Sequence, residues 1–204
     1  MNRLTAPLIA VAAGAALITA TPAHAHGLAA GGALGGLLHP LGGLDHLVML
    51  MAVGTTASLI SAQLLLWALA GAAVGALIGL SGWSLPAAEL LAALSISAVA
   101  GLSLAVGGLR ASNTPQLLTR LSGGVVATGV AIHALLHGLE APQDGTLLWW
   151  AGALTSSVLL CGGTTLLLQR LPLSWTRTAS IAFVALGGLL ALGSLSMLGG
   201  ASPA

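Results

Sequence analysis

The sequence predicts an all-α protein: a polytopic transmembrane helix bundle of about six helices behind a cleaved signal peptide. Three observations carry that prediction. Hydrophobic residues make up 57% of the 204 residues and charged residues only 4%, whereas a soluble domain is about a quarter charged. Six apolar runs of about 19 to 28 residues follow one another, each enough for a helix to cross a hydrocarbon core of ~30 Å. None shows the alternation of barrel strands, and in lipid the backbone can be satisfied only in helices or closed barrels.

The elements follow in order. Residues 1–25 read as a secretory signal peptide: Arg3 supplies the positive start, "APLIAVAAGAALITA" the apolar core and Ala23-His24-Ala25 the cleavage site. The alternative is an uncleaved first span, for which the apolar core is short. The mature chain would begin at His26 and form one transmembrane domain, 26–204. Its first run, 34–61, carries "HPLGGLDHLVML", and only Ser61, Ala62 and Gln63 part it from the second, 64–82. The second has Gly71, Gly75 and Gly79 at fourfold spacing, the close-packing pattern of membrane helices. The third, 87–109, opens with Glu89, a helix-start acid. The fourth, 116–138, holds His133 and His137; the fifth, 146–169, opens near Trp149 and Trp150; the sixth is 177–199. Turn-rich stretches separate them: "SGWSLP", "RASNTP", "GLEAPQDG" and "QRLPLSWTR". Trp83, Trp149, Trp150 and Trp175 make a thin interfacial belt.

Charge sets the orientation. With the signal removed, His26 lies outside, and six crossings put the loops 109–115 and 169–177 inside. Arg110, Arg170 and Arg177 fall in those loops and Arg120 near the same face, as the positive-inside rule requires. The expected location is a bacterial inner membrane with the mature N-terminus periplasmic. A net charge of +1 leaves no nucleic-acid footprint. Cys161 is the sole cysteine, which excludes an intramolecular disulfide.

Against this background ionisable side chains inside the runs are functional candidates, because each is costly in a membrane. Most form two clusters. The first is His39, Asp45 and His46, with Met49 one turn on; imidazole, carboxylate and thioether together suit a transition metal. His39 and His46 would stand about 10.5 Å apart on a straight helix, too far for one ion. Pro40, Gly42 and Gly43 lie between them and break or bend helices, so a broken helix would let His39 fold back toward Asp45. The second cluster, "HALLHGLE", places His133, His137 and Glu140 on one helix face, with the two histidines at a recurrent metal-binding spacing. Glu140 would be a third ligand or would orient His137. The topology puts both clusters at the outer ends of their runs, which makes them one site. The alternative, for any one of these groups, is a buried hydrogen bond that fixes packing. His26 is a further candidate ligand, beside a free N-terminal amine; Met49 is another.

At these residues the sequence resembles the HupE/UreJ family of small membrane proteins. Its first motif, close to H-P-x-x-G-x-D-H-x-x-x-M, is matched by His39-Pro40, Gly43 and Asp45-His46, with Met49 one position ahead of the motif's Met, where this chain has Leu50. A second, close to H-G-x-A-H-G-x-E-x-P, is matched by His133, His137-Gly138, Glu140 and Pro142, with Ala134 for Gly and Leu136 for Ala. The resemblance implies a nickel permease, with cobalt as the other metal, serving hydrogenase or urease maturation. It implies no prosthetic group and no enzyme activity: the partners are a divalent metal ion and the lipid bilayer, with a homo-oligomer left open. The residues alone also admit an intramembrane metal-dependent hydrolase, in which the same cluster activates water, or an accessory protein that binds metal without moving it. No G-x-x-x-x-G-K-[ST] motif is present, so the chain carries no such nucleotide site.

Overall fold

A computed structural model of the chain describes residues 31–109, 115–142 and 145–200. The predicted signal segment and His26 lie outside the described residues. Seven helices and no strand occur among those described: α1 Gly32–Gly42, α2 Leu44–Leu59, α3 Leu64–Leu80, α4 Ala88–Leu109, α5 Pro115–Glu140, α6 Thr146–Arg170 and α7 Leu173–Gly200. Helices α4 to α7 are long and apolar enough to cross a membrane, and α1 with α2 adds a fifth span if the bent pair counts as one. Helix α3 is apolar and 17 residues long.

The run 34–61 is not one helix. It breaks between α1 and α2, which are bent by 80°, with Gly43 extended at φ −102° and ψ 123°. Pro40 lacks the N–H that would continue the helical bonding. Gly43 then starts afresh, its carbonyl accepting the Leu47 N–H at 3.0 Å. Asp45 sits in the first turn of α2, where a negative charge is favoured.

Pairwise contacts fix the direction of each helix. The Thr165 hydroxyl of α6 donates to the Gly54 carbonyl and the Cys161 thiol to the Leu50 carbonyl, one constant offset, so α2 and α6 run parallel. A Cβ added to Gly71, Gly75 or Gly79 would strike the carbonyl of Ala127, Ala131 or Leu135; the shared offset makes α3 and α5 parallel and packed backbone to backbone. Helix α2 also runs with α4: Met49 and Ser95 both border Gly129, and further along both helices Thr56 meets Val99 and Ser103. His46 meets His137 while Met49, further along α2, meets Gly129, which sets α5 antiparallel to α2 and hence to α4. The start of α2 and the end of α5 therefore lie at the same end of the bundle. Arg120, Arg170 and Arg177, all exposed, lie at the opposite end.

Helix α2 is the central element. It touches every other helix, and Ala52, Val53, Thr55 and Thr56 are fully buried along it. The buried core gathers Val48, Met49, Val53, Leu64, Ile96, Val99 and Val126 around it. The two tightest helix pairs flanking it are α3 with α5 and α4 with α7. Helix α1 lies across the start of α6, where Gly36 and Gly152 leave room for the Trp149 and Ala33 carbonyls.

Candidate metal centre

Three helices deliver the cluster: α1 brings His39, the first turn of α2 brings Asp45 and His46, and the last two turns of α5 bring His133 and His137. His39 Nε2 lies 3.1 Å from His137 Nδ1, and His46 Nε2 lies 3.4 Å from the same atom. On the other side of its ring, His46 Nδ1 is 2.7 Å from Asp45 Oδ1. His133 Nε2 stands 3.4 Å from Asp45 Oδ2, an ion-pair distance without hydrogen-bond alignment. Two groups of three have ligand atoms within 4.8 Å of one another: His39, His46 and His137, and Asp45, His46 and His133.

The site is incompletely bonded. His133 is 5% exposed, and neither of its ring nitrogens has a hydrogen-bond partner; His137 Nε2 is in the same position. Orphaned buried polar atoms are rare and costly, so their presence points to something that occupies them. Metal–imidazole bonds of roughly 2.1 Å at tetrahedral or octahedral angles would space nitrogens by roughly 3.0 to 3.4 Å. The 3.1 and 3.4 Å separations match that spacing. Imidazole with a single carboxylate favours a borderline divalent ion over magnesium or calcium.

Gly43 makes the Asp45–His46 pair feasible. Adjacent helical residues point about 100° apart, yet these two side chains turn back over the preceding residue. A Cβ at Gly43 would stand 2.6 Å from His46 Nδ1 and 2.9 Å from Asp45 Oδ1. The sequence reading used Gly43 as a helix breaker and as a residue of the family motif; this further role has no spacing signal.

Other expectations fare unevenly. The helix break folds His39 back onto His137 and the His46 ring, 5.1 Å between centroids, rather than onto Asp45. The 80° turn carries α1 across the bundle's end, toward α6. Met49 is 2% exposed, and its methyl lies near Gly129 and Ser95 in the core. Glu140 is the last residue of α5, and its side chain, like His26, lies outside what the structure describes. Trp149 departs from the interfacial belt: it is 3% exposed, with its ring 4.8 Å from that of His39. Trp83 and Trp175 are exposed. A cavity of about 390 Å³ opens beside the cluster, lined by the histidines and otherwise almost wholly by apolar residues of α2, α3, α5 and α6. Trp150 also lines it, and its buried indole N–H has no partner.

Comparison with known proteins agrees with this picture. The family model described as "HupE / UreJ protein" matches residues 11–197. The chain is 33% identical over 153 residues to "Protein HupE" of Rhizobium leguminosarum bv. viciae, an alignment covering 72% of this chain and 75% of the relative. No solved structure gives a significant match.

Proposed function

The chain belongs to the HupE / UreJ family, and from that premise we propose that it is a secondary transporter taking up Ni2+, with Co2+ as the other cargo, for hydrogenase or urease maturation. The observation that carries the reading is the convergence of four histidines and one aspartate from three helices at one end of an apolar bundle. Side chains of this kind are costly in a membrane and serve ion pathways.

Residues 1–25 are removed as a signal peptide, and the mature domain crosses the bacterial inner membrane six times: the bent pair as one crossing, then α3 to α7. The exposed arginines at the far end support a cytoplasmic position for that end by the positive-inside rule, with the histidines facing the periplasm. His39, Asp45, His46, His133 and His137 strip part of the ion's water and hold it, with Glu140 as a further ligand. Neutral imidazoles supply selectivity, and the carboxylate offsets charge. Helices that line the cavity then rearrange to release the ion inward. The chain acts as a carrier, not as an enzyme.

The test is uptake of radioactive nickel by cells lacking their own nickel permease. This chain should restore uptake, and His46→Ala and His137→Ala should abolish it at equal membrane expression. An inserted wild-type chain that moves neither nickel nor cobalt would sink the proposal and bring forward the metal-dependent hydrolase.

A further inference from the structure

We infer that the cluster is two overlapping three-ligand stations, occupied in turn by one ion, with His46 as the ring common to both. The inference rests on the reading of the cluster as an ion site and adds its internal order. The first station is His39 Nε2, His46 Nε2 and His137 Nδ1; the second is Asp45, His46 Nδ1 and His133 Nε2. The two sets share one residue, and they use its opposite nitrogens.

That sharing makes occupancy exclusive. A neutral imidazole has one nitrogen with a free lone pair and one carrying hydrogen. With the Nδ1–H of His46 donated to Asp45 at 2.7 Å, Nε2 is free and the first station is ready. For the ion to bind Nδ1, that proton must leave and Nε2 must take one, where His137 Nδ1 at 3.4 Å can accept its hydrogen bond. The Nδ1 proton passes to water, which reaches the part-exposed Asp45 side chain, and Nε2 takes one from water, so the ring stays neutral.

Depth and charge give the exchange a direction. His133 lies four residues before His137 on α5, one turn or about 6 Å further into the bundle. The first station offers three neutral imidazoles, whereas the second includes a carboxylate, and a divalent ion is attracted more strongly to a negative charge than to neutral rings. The second station also explains the orphaned Nε2 of His133, buried without a hydrogen-bond partner. An ion that arrives from His39 passes inward around a single ring.

The test is equilibrium dialysis of the purified full-length chain in detergent, with bound metal counted at saturation for Ni2+ and, in parallel, Zn2+. Wild type, His39→Ala and His133→Ala should each hold one ion per chain, because each single variant leaves one station whole. The double variant His39→Ala/His133→Ala and the single variant His46→Ala should hold none. The double variant keeps the inference testable should His46→Ala fail to fold. With Co2+ as a spectroscopic probe, the two single variants should give different d–d bands: one station is all nitrogen, the other contains a carboxylate. Two ions per wild-type chain, an ion lost from either single variant, an ion retained by the double variant, or identical Co2+ bands would each overturn the stations. If Zn2+ shows the expected pattern and Ni2+ does not bind, the stations stand and the nickel proposal falls. A wild-type chain that binds no divalent ion overturns both.

Discussion

Gly75→Ala on α3 tests whether backbone packing two residues from a candidate ligand sets the geometry of the candidate metal centre. The added Cβ would stand 2.7 Å from the Ala131 carbonyl carbon and 2.8 Å from its Cα, with the carbonyl oxygen closer still. Ordinary contact begins near 3.4 Å, so the helices must part by 3.4 − 2.7 = 0.7 Å or more. Every obstructing atom is backbone, and none can rotate away. Ala131 precedes His133 by two residues, so α5 carries the displacement directly into the site. Metal–ligand distances tolerate about ±0.2 Å, which the required shift exceeds threefold. Overpacking should cost about 1 to 3 kcal/mol of stability, and misplacement on this scale should lower nickel affinity and uptake by about 10- to 100-fold. Gly71→Ala meets the same obstruction at Ala127, but about 9 Å from His133 along α5; it should match the stability loss with a smaller loss of affinity. Gly162→Ala, on the cavity wall, has nothing within 4 Å of its new Cβ and should behave as wild type. The assay is nickel uptake at equal expression, paired with binding to purified protein. Wild-type uptake by Gly75→Ala, or equal damage from Gly162→Ala, would refute the reasoning.

Further expectations follow from individual contacts. Nickel uptake should fall as external pH drops from about 7.5 to 5.5, because an imidazole that gains a proton loses the lone pair that binds metal; a flat profile would count against histidine ligation. Thr56→Val removes a hydroxyl bonded to Ser103 Oγ and the Val99 carbonyl, each at 2.9 Å. Stranding Ser103 should cost about 1 kcal/mol, read as a lower melting temperature in detergent. Metal binding should survive, since Thr56 lies about 15 Å along α2 from His46; joint loss of binding and stability would tie that hydroxyl patch to the site. Trp149→Leu frees the His39 ring and should weaken Ni2+ binding about 10-fold, whereas Trp83→Leu, at an exposed ring, should leave it unchanged.

The helices and the two polar clusters were legible because a membrane makes both stand out: long apolar runs are compulsory, and charge within them is rare. That the clusters meet followed from counting crossings. The inner geometry was hidden for identifiable reasons. Pro40 and the glycines announce a break but not its direction, and the 80° bend decides that His39 reaches His137 instead of Asp45. Periodicity sets Asp45 and His46 on different faces, a rule that fails where a glycine precedes them and both side chains fold back over it. Tryptophan at a helix start reads as interfacial, and nothing in the spacing distinguishes buried Trp149 from exposed Trp83. The fourfold glycines of α3 announced close packing, yet only the structure identifies α5, the helix that carries His133 and His137, as their partner.

That partnership bears on how binding could drive movement. Helix α5 is locked to α3 through the glycine stripe, while α1 is anchored on α6 and α2 packs on α6 and α4. Between α2 and α5 themselves direct packing is slight, and the cavity lies along that seam. The ligands straddle it: His39, Asp45 and His46 on one side, His133 and His137 on the other. Were all five on one rigid pair, an ion could bind without favouring any arrangement of the bundle, and a ligand shifts a conformational equilibrium only through differential affinity for its states. Spread across a weakly packed seam, the same ligands make binding depend on how far apart the two sides stand. Under the transport proposal, coordination closes the seam at the histidine end, and release requires it to reopen elsewhere along the cavity. The glycine stripe keeps α5 stiff enough to transmit that closure. Loss of that stiffness, rather than of any candidate ligand, is why Gly75→Ala should impair the proposed carrier although all five of those side chains are intact.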